Sequence, residues 1–559
     1  MNNKIVVIED YKTTFSAEYK CLQVEFNNQS KDEDIHNWLM VNKKLMYDAE
    51  KLIIPVRLGN EDAEFMGLYI GMHIRLTKEL ENVRFIPILF ITDQTKEQIL
   101  TNQISNLKEK SGLLLFTKGS YLLSAFSLDE FLTKSISPID EKTLIETVIP
   151  SLSIENSKDR GHQLANDWGA FRLAKFAGYA LSLEKPTSLY FKYKESQTNN
   201  ELVPESNTNI GVFNESCKAL LIDDNADSGW MAILNYILKH KIVMPGKTSS
   251  LNVLRTFEEA MEFNNYINYD IVFLDLRLLK EEDKGQEIID IEQFTGTKVL
   301  RKIKKINKGI QVIIFTASNK VWNIERLLEI GANGYYIKES PEFVLSPVFS
   351  KENYNELLST VEKSLSLKFL RSVDNIHQKC SLFIAGDRLA RNIRYQSFYD
   401  RSVASFEIAF QLLGKTIVDK KYLNFAFLTY FQIIEDFVIQ RENFDFVSKK
   451  ECYVGSSRTK VIDDSTGNLI WKLLYNQDRV NGDYFEIADE PKSGEVQIQT
   501  LAKVSFVLAF TFHKNNDYLK RWANLNNVRN TKAGHGGANG YVTSANIEGL
   551  LEIIELILS

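Results

Sequence analysis

Cysteine is scarce in this sequence, and no two cysteines have the spacing of a metal-binding pair. The 559 residues include only Cys21, Cys217, Cys380 and Cys452, and no Cys-x-x-Cys motif occurs. A disulfide framework and a cysteine-based zinc site are therefore excluded, and a reducing compartment is favoured.

Long apolar runs and a secretion signal are also missing. No apolar run approaches the length of about 18 residues that a membrane-spanning helix needs, and the N-terminus "MNNKIVVIED" lacks the charged-then-apolar layout of a signal peptide. The net charge of −6 gives no overall attraction to nucleic acid or acidic membranes, so any site for a polyanion must be local. We expect a cytoplasmic protein with no membrane partner.

The chain is too long for a single hydrophobic core, and about three or four domains are expected. A polar stretch at 194–216, rich in Asn, Ser, Glu and Thr, predicts a linker. Before it, the patterns predict an α/β domain at 1–126 and a helical segment at 127–193. After it, they predict a second α/β domain at 217–366 and a helical domain at 367–559. The predicted fold class is therefore multidomain, α/β plus all-α.

Short apolar runs alternate with amphipathic segments in the second α/β domain. The runs "CKALLIDD", "YDIVFLDL", "IQVIIFTA" and "GYYIK" suit strands that are buried on both faces, and helical patterns such as "TKVLRKIKKI" lie between them. This alternation predicts a doubly wound parallel sheet.

Polar residues end these predicted strands. Asp223 and Asp224 end the first, Asp275 the third, Thr316 the fourth and Lys338 the fifth. Because the carboxyl ends of parallel strands share one sheet edge, we expect these residues to converge. Three carboxylates repel each other unless a cation joins them, and an oxygen-only ligand set favours Mg²⁺. A carboxylate beside Mg²⁺ can attack phosphorus, while the ammonium and hydroxyl groups hold the phosphoryl oxygens.

The domain resembles the response-regulator receiver family. The resemblance is carried by "LLIDDN", "IVFLDLRL", "IIFTAS" and "GANGYYIKES". It implies that Asp275 accepts phosphate from a histidine kinase or another phosphoryl donor. It also implies that Asp223, Asp224 and the backbone carbonyl of Arg277 bind Mg²⁺ together with Asp275, and that Tyr335 is the aromatic switch residue.

The sequence departs from the receiver pattern in two places. Glu339 follows Lys338, where the family usually has proline. The acidic segment Leu278–Phe294 is longer than the usual loop after the acceptor strand. Two interpretations of that segment remain open, a surface for a kinase or another partner and a solvated insertion.

The first α/β domain repeats the same order of patterns. "EKLIIPVRL", "RFIPILFIT" and "GLLLFTKGSYLL" predict strands in the same sequence, which indicates an internal duplication. The position of the acceptor is held by Pro55, which can neither accept phosphate nor bind metal. We therefore predict a degenerate receiver that serves packing or dimerisation, in which Glu9 and Asp10 mimic the acidic pair without a function.

A histidine precedes the linker in the helical pattern "RGHQLANDWGAFRLAKFAGY". His162 on a helix is what phosphotransfer to Asp275 would use. The alternative is a buried hydrogen-bonded cluster of His162, Asn166 and Trp168.

A second chemical motif lies near the C-terminus, in "NNVRNTKAGHGG". Arg529 and His535 have the same spacing as Arg371 and His377 in "RSVDNIH", so the spacing alone is not informative. The second pair lies within one helical pattern, where residues six apart point to different faces, and we interpret it as structural. The glycines around His535 instead break the helix and let that histidine return toward Arg529.

The C-terminal motif predicts chemistry on phosphodiesters. A near-neutral histidine transfers protons, and an arginine stabilises a phosphate in a more highly charged transition state. "RNTKAGH" resembles the ribonuclease motif of the HEPN family. The resemblance implies that Arg529, Asn530 and His535 form a site shared between two protomers, that single-stranded RNA is the substrate and that Glu435 lies on a neighbouring helix. The alternative is a helical domain that only binds or dimerises.

Together these patterns predict a response regulator whose phosphorylation on Asp275 controls a ribonuclease or RNA-binding output. The output would be a metal-independent endoribonuclease if it is enzymatic. The alternative is a non-enzymatic phosphoryl acceptor or relay that partners a histidine kinase and dimerises. Residues 449–500, which are polar and contain glycine, predict an insertion or a hairpin.

Overall fold

The computed structural model describes most of the chain. The described residues are 2–10, 19–26, 32–58, 65–105, 111–123, 128–152, 154, 161–179, 187–198, 213–279, 291–316, 321–340, 347–390, 396–439, 444–445, 451–454, 457–460, 472–476, 484–488, 501, 504–505, 508, 516–534 and 540–558.

The N-terminal domain is a five-stranded parallel sheet with helices between the strands. Its elements are β1 Asn2–Glu9, β2 Tyr19–Gln23, α1 Asp32–Met46, β3 Lys51–Pro55, α2 Met66–Leu76, β4 Ile88–Ile91, α3 Lys96–Ser105 and β5 Ser120–Leu122. The strand order is β2-β1-β3-β4-β5. Every residue of β3 is buried, including Lys51, which precedes the apolar run that predicts a buried strand.

The second α/β domain has the same topology. Its elements are β6 Cys217–Ile222, β7 Ser249–Leu254, β8 Ile271–Asp275, β9 Gln311–Thr316 and β10 Gly334–Ile337, with helices at Trp230–Ile237, Phe257–Glu262, Thr295–Ile306, Val321–Ile330 and Pro347–Ser366. The strand order β7-β6-β8-β9-β10 repeats that of the first sheet, and all pairs are parallel. The two predicted parallel sheets are therefore present and share one strand order, while their origin in an internal duplication stays a prediction.

One predicted strand is much shorter than the stretch that predicted it. Of "GLLLFTKGSYLL" in the N-terminal domain, the run "GLLLF" lies within a 3-10 helix at Ser111–Phe116, and only Ser120–Leu122 is a strand. An apolar run of about four residues does not by itself distinguish a strand from a buried helical turn. The edge position of this strand explains its short length.

Helical segments connect the two sheets. They include α4 Leu128–Thr133, a mixed helical stretch at 141–151, α5 Gly161–Ala177 and α6 Leu189–Thr198. Helix α6 continues through Thr198, so the first residues of the predicted linker are helical. Residues 199–212 of that stretch lie outside the described part of the chain.

The C-terminal region is mostly helical. Its helices lie at Leu370–Ala390, Gln396–Gly414, Lys421–Ile439, Asn516–Val528 and Ser544–Ile557. Buried residues of all five form one apolar cluster that includes Trp522 and Tyr430. Within the predicted insertion, strands at Glu451–Val454 and Ser457–Lys460 pair antiparallel, as do Lys472–Asn476 and Tyr484–Ala488. In the described ranges, no helix is both long enough and apolar enough to cross a membrane.

Helix Leu370–Ala390 is attached to the second α/β domain at the end of the sheet opposite the carboxyl ends of the strands. The side-chain amide of Asn307 donates to the carbonyl oxygen of Arg371 at 3.0 Å, and the backbone of Lys308 donates to Asp374 at 2.9 Å. A Cβ atom on Gly309 would lie 2.1 Å from the carbonyl oxygen of Leu370, so this close approach requires glycine.

Candidate functional site

Three carboxylates meet at the carboxyl edge of the second sheet. Asp223 and Asp224 follow β6, and Asp275 is the last residue of β8, the strand paired beside it. One oxygen from each residue lies within 4.8 Å of the others. Asp223 and Asp275 are buried and Asp224 is half-buried. The parallel pairing of β6 with β8 is what brings these distant sequence positions together.

A buried lysine bridges two of these carboxylates. The Nζ atom of Lys338 lies 2.5 Å from Oδ2 of Asp275 and 2.8 Å from Oδ2 of Asp223. Lys338 follows β10, and its backbone nitrogen donates to the carbonyl oxygen of Thr316 at 2.7 Å. Thr316 ends β9 and is buried. The structure thus brings together the four strand ends that the sequence predicts to carry the chemistry.

Burial controls the protonation of this group. It raises the pKa of Asp275 to about 7, while the charge of Lys338 opposes the rise and those of Asp223 and Asp224 add to it. Burial works to lower the pKa of Lys338, but the two carboxylates overcome it and raise that pKa. The site therefore holds a charged ammonium among carboxylates whose mutual repulsion favours a further cation.

The donor set suits Mg²⁺. Oxygen atoms alone face one another here, with no nitrogen or sulfur ligand in the cluster, and this is the set that hard divalent cations prefer. Arg277 lies next to the site, with its backbone nitrogen 3.4 Å from Oδ1 of Asp275 and its guanidinium over the ring of Phe294. That the carbonyl of Arg277 is a metal ligand stays a prediction.

Tyr335 lies on β10, two residues before Ile337 at the end of that strand, and pairs with Ile314 of β9. Its ring is half-buried and packs on the apolar cluster on one side of the sheet. The position is the one implied for the aromatic switch, and a switching role stays a prediction.

The residue after Lys338 has an ion-pair partner that the sequence did not reveal. Glu339 is buried, and its Oε2 accepts from Nε of Arg172 at 3.0 Å and from Oγ of Ser350 at 2.8 Å. Arg172 belongs to α5, outside the receiver-like domain. The sequence signalled only that a glutamate stands where the family usually has proline. The structure shows that this carboxylate is buried, and a buried carboxylate requires a partner.

Asn166 and Trp230 also belong to this site and were missed as functional residues. The Oδ1 atom of Asn166 accepts from Nε1 of Trp230 at 3.2 Å and from Nζ of Lys338 at 3.4 Å. Lys338 Nζ lies 5.1 Å from the centre of the Trp230 ring. Asn166 was considered only as a member of a buried cluster with His162 and Trp168. The side chain of His162 lies outside the described residues, so its phosphotransfer role stays a prediction.

Two glycines show which residues of the two sheets correspond. A Cβ atom on Gly296 would lie 2.3 Å from the carbonyl oxygen of Asp275, and one on Gly67 would lie 1.8 Å from that of Pro55. The backbone nitrogen of Gly296 donates to the carbonyl oxygen of Leu276, and that of Gly67 donates to the carbonyl oxygen of Val56, both at 3.0 Å. Pro55 therefore stands where Asp275 stands, as the sequence predicts.

The acidic pair of the first domain is used differently from that of the second. Glu9 and Asp10 are buried at the end of β1. Oε1 of Glu9 accepts from the side-chain amide of Gln23 on the paired strand β2, at 2.6 Å. Pro55, at the position that corresponds to Asp275, has no carboxylate with which to form an acyl phosphate.

The structure places part of the C-terminal motif. Arg529 begins a short π-helical turn, Arg529–Ala533, that directly follows the helix Asn516–Val528. Its Nη2 atom lies 3.4 Å from Oε1 of Glu435, and its Nη1 donates to the side chain of Asn530 at 3.2 Å. The neighbouring acidic residue implied by the HEPN resemblance is thus in contact with the arginine. His535 lies outside the described residues.

A buried asparagine contacts the described residues on both sides of the stretch that contains His535. The side chain of Asn424 donates to the carbonyl oxygen of Lys532 at 3.2 Å and accepts from the backbone nitrogen of Val542 at 2.9 Å. The two ends of the glycine-rich segment are therefore held together on one helix. The sequence offered no signal for this role, because Asn424 lies about a hundred positions before the motif.

The control pair is structural. Arg371 donates to the carbonyl oxygen of Tyr269 at 2.6 Å and lies 3.3 Å from the carboxylate of Asp270. Nε2 of His377 lies 3.0 Å from the hydroxyl of Tyr430, and burial lowers the pKa of His377 to about 3. The arginine and the histidine therefore face different neighbours, as the helical spacing predicts.

Comparison with known proteins agrees with this description of the first domain. Residues 1–123 match the family model of the inactive receiver domain, which supports the prediction of a degenerate receiver there. No curated protein matches the sequence.

Several solved receiver structures also match part of the chain. A CheY-like response regulator receiver domain protein from Methanospirillum hungatei JF-1 is 21% identical, covers 26% of this chain and 97% of its own, and has a TM-score of 0.18. A two-component response regulator from Clostridium difficile is 20% identical, with 26% and 95% covered and a TM-score of 0.17. The receiver domain of NtrX from Brucella abortus is 17% identical, with 26% and 97% covered and a TM-score of 0.18. At these identities and TM-scores, no functional conclusion follows from the likeness.

Proposed function

We propose that the chain is a two-component-type response regulator in which Asp275 accepts a phosphoryl group from a histidine kinase or another phosphoryl donor. The observation that carries this proposal is the meeting of Asp223, Asp224 and Asp275 with the buried ammonium of Lys338 at one sheet edge. A carboxylate nucleophile, a place for a divalent cation and a positive group for phosphoryl oxygens are what acyl-phosphate formation needs.

The chemistry follows from the positions of these groups. A carboxylate oxygen of Asp275 attacks the phosphorus atom of the donor, the bond from phosphorus to the donor breaks, and the donor leaves with that electron pair. Lys338 and the hydroxyl of Thr316 then donate hydrogen bonds to the phosphoryl oxygens. Asp223, Asp224 and Asp275 would hold Mg²⁺, which offsets the negative charge of the phosphoryl group.

The first domain complements this role. It keeps the receiver topology, but proline stands at the acceptor position. We infer that it serves packing or dimerisation and takes no phosphate.

For the output, we infer that Arg529, Asn530 and His535 act on single-stranded RNA in a homodimer of this chain. Arg529 is suited to this because its side chain is 41% exposed. Its backbone begins the π-helical turn that precedes the glycine-rich segment. The 2′-hydroxyl would attack the adjacent phosphorus, and the 5′-oxygen would leave. His535 would transfer the protons, and Arg529 would stabilise the added charge without a metal.

One observation favours the non-enzymatic alternative, in which the chain receives or relays phosphoryl groups and dimerises. Glu435 lies 3.4 Å from the Arg529 guanidinium and offsets part of the charge that RNA would require. In this alternative, the C-terminal region binds or dimerises without cleaving.

The acceptor is tested by labelling the full chain with acetyl phosphate and Mg²⁺. Wild type is expected to take up one phosphoryl group per chain, and Asp275→Asn to take up none because an amide is not a nucleophile. Asp227→Asn is the matched control, since Asp227 is an exposed carboxylate that follows β6, close in the sequence to Asp223 and Asp224, and forms an ion pair with the exposed Arg255. Equal labelling of Asp275→Asn and wild type contradicts the assignment.

A further inference from the structure

Helix α5, Gly161–Ala177, belongs to two hydrophobic cores at once. Trp168 is buried in the core of the inactive receiver-like domain, where its ring centre lies 5.1 Å from that of Phe191. Ala170, Leu173 and Ala177 are buried in the core of the second α/β domain. The helix therefore contacts the first domain with one face and the second domain with another.

The face toward the second domain begins at the phosphoryl site. Asn166 lies one helical turn before Ala170, on the same face of α5. Its side-chain oxygen is 3.4 Å from Nζ of Lys338, and among the described residues this Nζ also donates to Asp275 at 2.5 Å and to Asp223 at 2.8 Å. An ammonium group has three N–H donors, so these three acceptors match its capacity.

A second contact ties α5 to the backbone beside Lys338. Arg172 is 1% exposed, and it donates to Glu339 at 3.0 Å and to Ser350 at 2.6 Å. A Cβ atom on Gly169, between Asn166 and Arg172, would lie 2.9 Å from the carbonyl oxygen of Glu339. The helix is thus packed directly against the strand end that carries Lys338.

We propose that Asn166 is a positioning residue that holds Lys338 in its resting place, and that α5 thereby couples the phosphoryl state of Asp275 to the inactive receiver-like domain. This inference rests on the proposed function. When Asp275 carries a phosphoryl group, new oxygen acceptors with negative charge compete for Lys338. The neutral oxygen of Asn166, at the longest of the three distances, is the acceptor that Lys338 gives up.

The coupling is reciprocal. If phosphorylation weakens the contact between α5 and Lys338 by some factor, then complete loss of this contact must favour the phosphorylated state by the same factor. The inactive receiver-like domain packs against the opposite face of α5 through Trp168. It would therefore regulate the acceptor although it has no acceptor of its own.

Beryllofluoride, a phosphoryl mimic, tests the positioning role on the full chain with Mg²⁺. Asn166→Ala removes one resting acceptor of Lys338 and is expected to bind the mimic about three- to tenfold more tightly, the effect of one hydrogen bond. Asn166→Asp adds a negative charge that retains Lys338 in its resting place. This variant is expected to bind beryllofluoride more weakly than wild type does. A purely structural role would move both variants in the same direction, which would overturn the proposal.

The control is Asn235→Ala on the neighbouring helix Trp230–Ile237, where Asn235 is exposed. It is expected to bind the mimic as wild type does. Binding can be followed by fluorescence, because the Trp230 indole donates to Asn166 and lies under Lys338. The change in signal should be absent from Trp230→Phe, and calorimetry provides the affinity of that variant.

Hydrogen exchange tests the coupling. Beryllofluoride should change the protection of backbone amides in α5 and in α6, Leu189–Thr198, in wild type and in Asn235→Ala. The change in α6 should be reduced in Asn166→Ala. Unchanged protection of both helices in wild type that has bound the mimic would overturn the coupling.

The two failures are distinguishable. If wild type and Asp275→Asn bind the mimic equally, or neither binds it, the proposed acceptor is wrong and this inference falls with it. If binding requires Asp275 but Asn166→Ala matches Asn235→Ala, only the role of Asn166 is wrong.

Discussion

At the scale of single residues, the first domain contains a buried polar cluster that stabilises its contact with α6. Nζ of Lys192 on α6 lies 2.9 Å from Nδ1 of His36, 3.3 Å from Nδ1 of His73 and 3.0 Å from the hydroxyl of Thr77. Asp32 accepts from the backbone of α6 at 2.7 Å and lies 3.2 Å from Nε2 of His73. Groups from α1, α2 and α6 thus share one network.

Acid should weaken this cluster. Burial is the main cause that lowers the pKa of His73, from 6.5 to about 4, with Lys192 and His36 adding to the effect and Asp32 opposing it. The unfolded chain then binds a proton at higher pH than the folded one, so the stability that neutral His73 allows is present above 6.5 and is lost as pH falls toward 4. We predict that the melting temperature of the full chain falls between about pH 7 and about pH 5.

The variant His73→Gln removes one titrating group and should make this decline less steep, while His377, whose pKa burial also lowers, remains. His240→Gln is the control, because His240 is exposed on the second domain. An equally steep decline in His73→Gln and in wild type would assign the pH dependence to another group.

At the scale of elements, the strand patterns and the polar strand ends could be predicted from the sequence. The central strands are local apolar runs, and parallel topology brings the ends of such runs to one edge. The edge strands β2 and β7 have no such run and were not predicted. The contacts of Asn166 with Lys338 and of Arg172 with Glu339 could not be predicted, because they join α5 to residues more than a hundred positions away. No local pattern indicates which face of a helix meets which loop.

Packing of α5 can be tested with one methyl group. Gly169→Ala would place a Cβ atom 2.9 Å from the carbonyl oxygen of Glu339 and 3.1 Å from the Trp230 ring. We predict that it destabilises the protein by about 1–3 kcal/mol through overpacking. Chemical denaturation of the full chain measures this.

Gly386→Ala is the matched control, since Gly386 also lies in a helix but has no atom within 4 Å of the added Cβ. It should stabilise its helix by about 0.5–1 kcal/mol, because alanine is the better helix former. Equal stability of the two variants would contradict the close packing of α5.

At the scale of the whole molecule, the two sheets have the same topology but different chemistry. In the second, Asp275 contacts Lys338, while Pro55 takes the position of Asp275 in the first. The C-terminal helices attach to the second sheet near Asn307 and Lys308, away from the edge that carries Asp275. On the proposed function, a signal from Asp275 would therefore have to cross that domain to reach them.

The ribonuclease output predicts specific losses. With labelled single-stranded RNA, Arg529→Ala should lower the cleavage rate by about 10²–10³ and His535→Ala by about 10²–10⁴. The products should carry a 2′,3′-cyclic phosphate, and chelation should not stop the cleavage step itself. The assay is run with and without acetyl phosphate.

Arg371→Ala is the internal control, because Arg371 shares the spacing of the motif but pairs with Asp270. It should leave the cleavage rate nearly unchanged. Cleavage that survives His535→Ala, or no cleavage by wild type in either phosphorylation state, favours the non-enzymatic alternative.

The central claim is that one domain accepts phosphate and its duplicate does not. Peptide mapping of the full chain after treatment with acetyl phosphate and Mg²⁺ tests this most directly. The account predicts that all phosphate lies within residues 217–366, on the peptide that contains Asp275. Phosphate on a peptide from residues 1–195 would contradict it and would favour His162 as a phosphotransfer site.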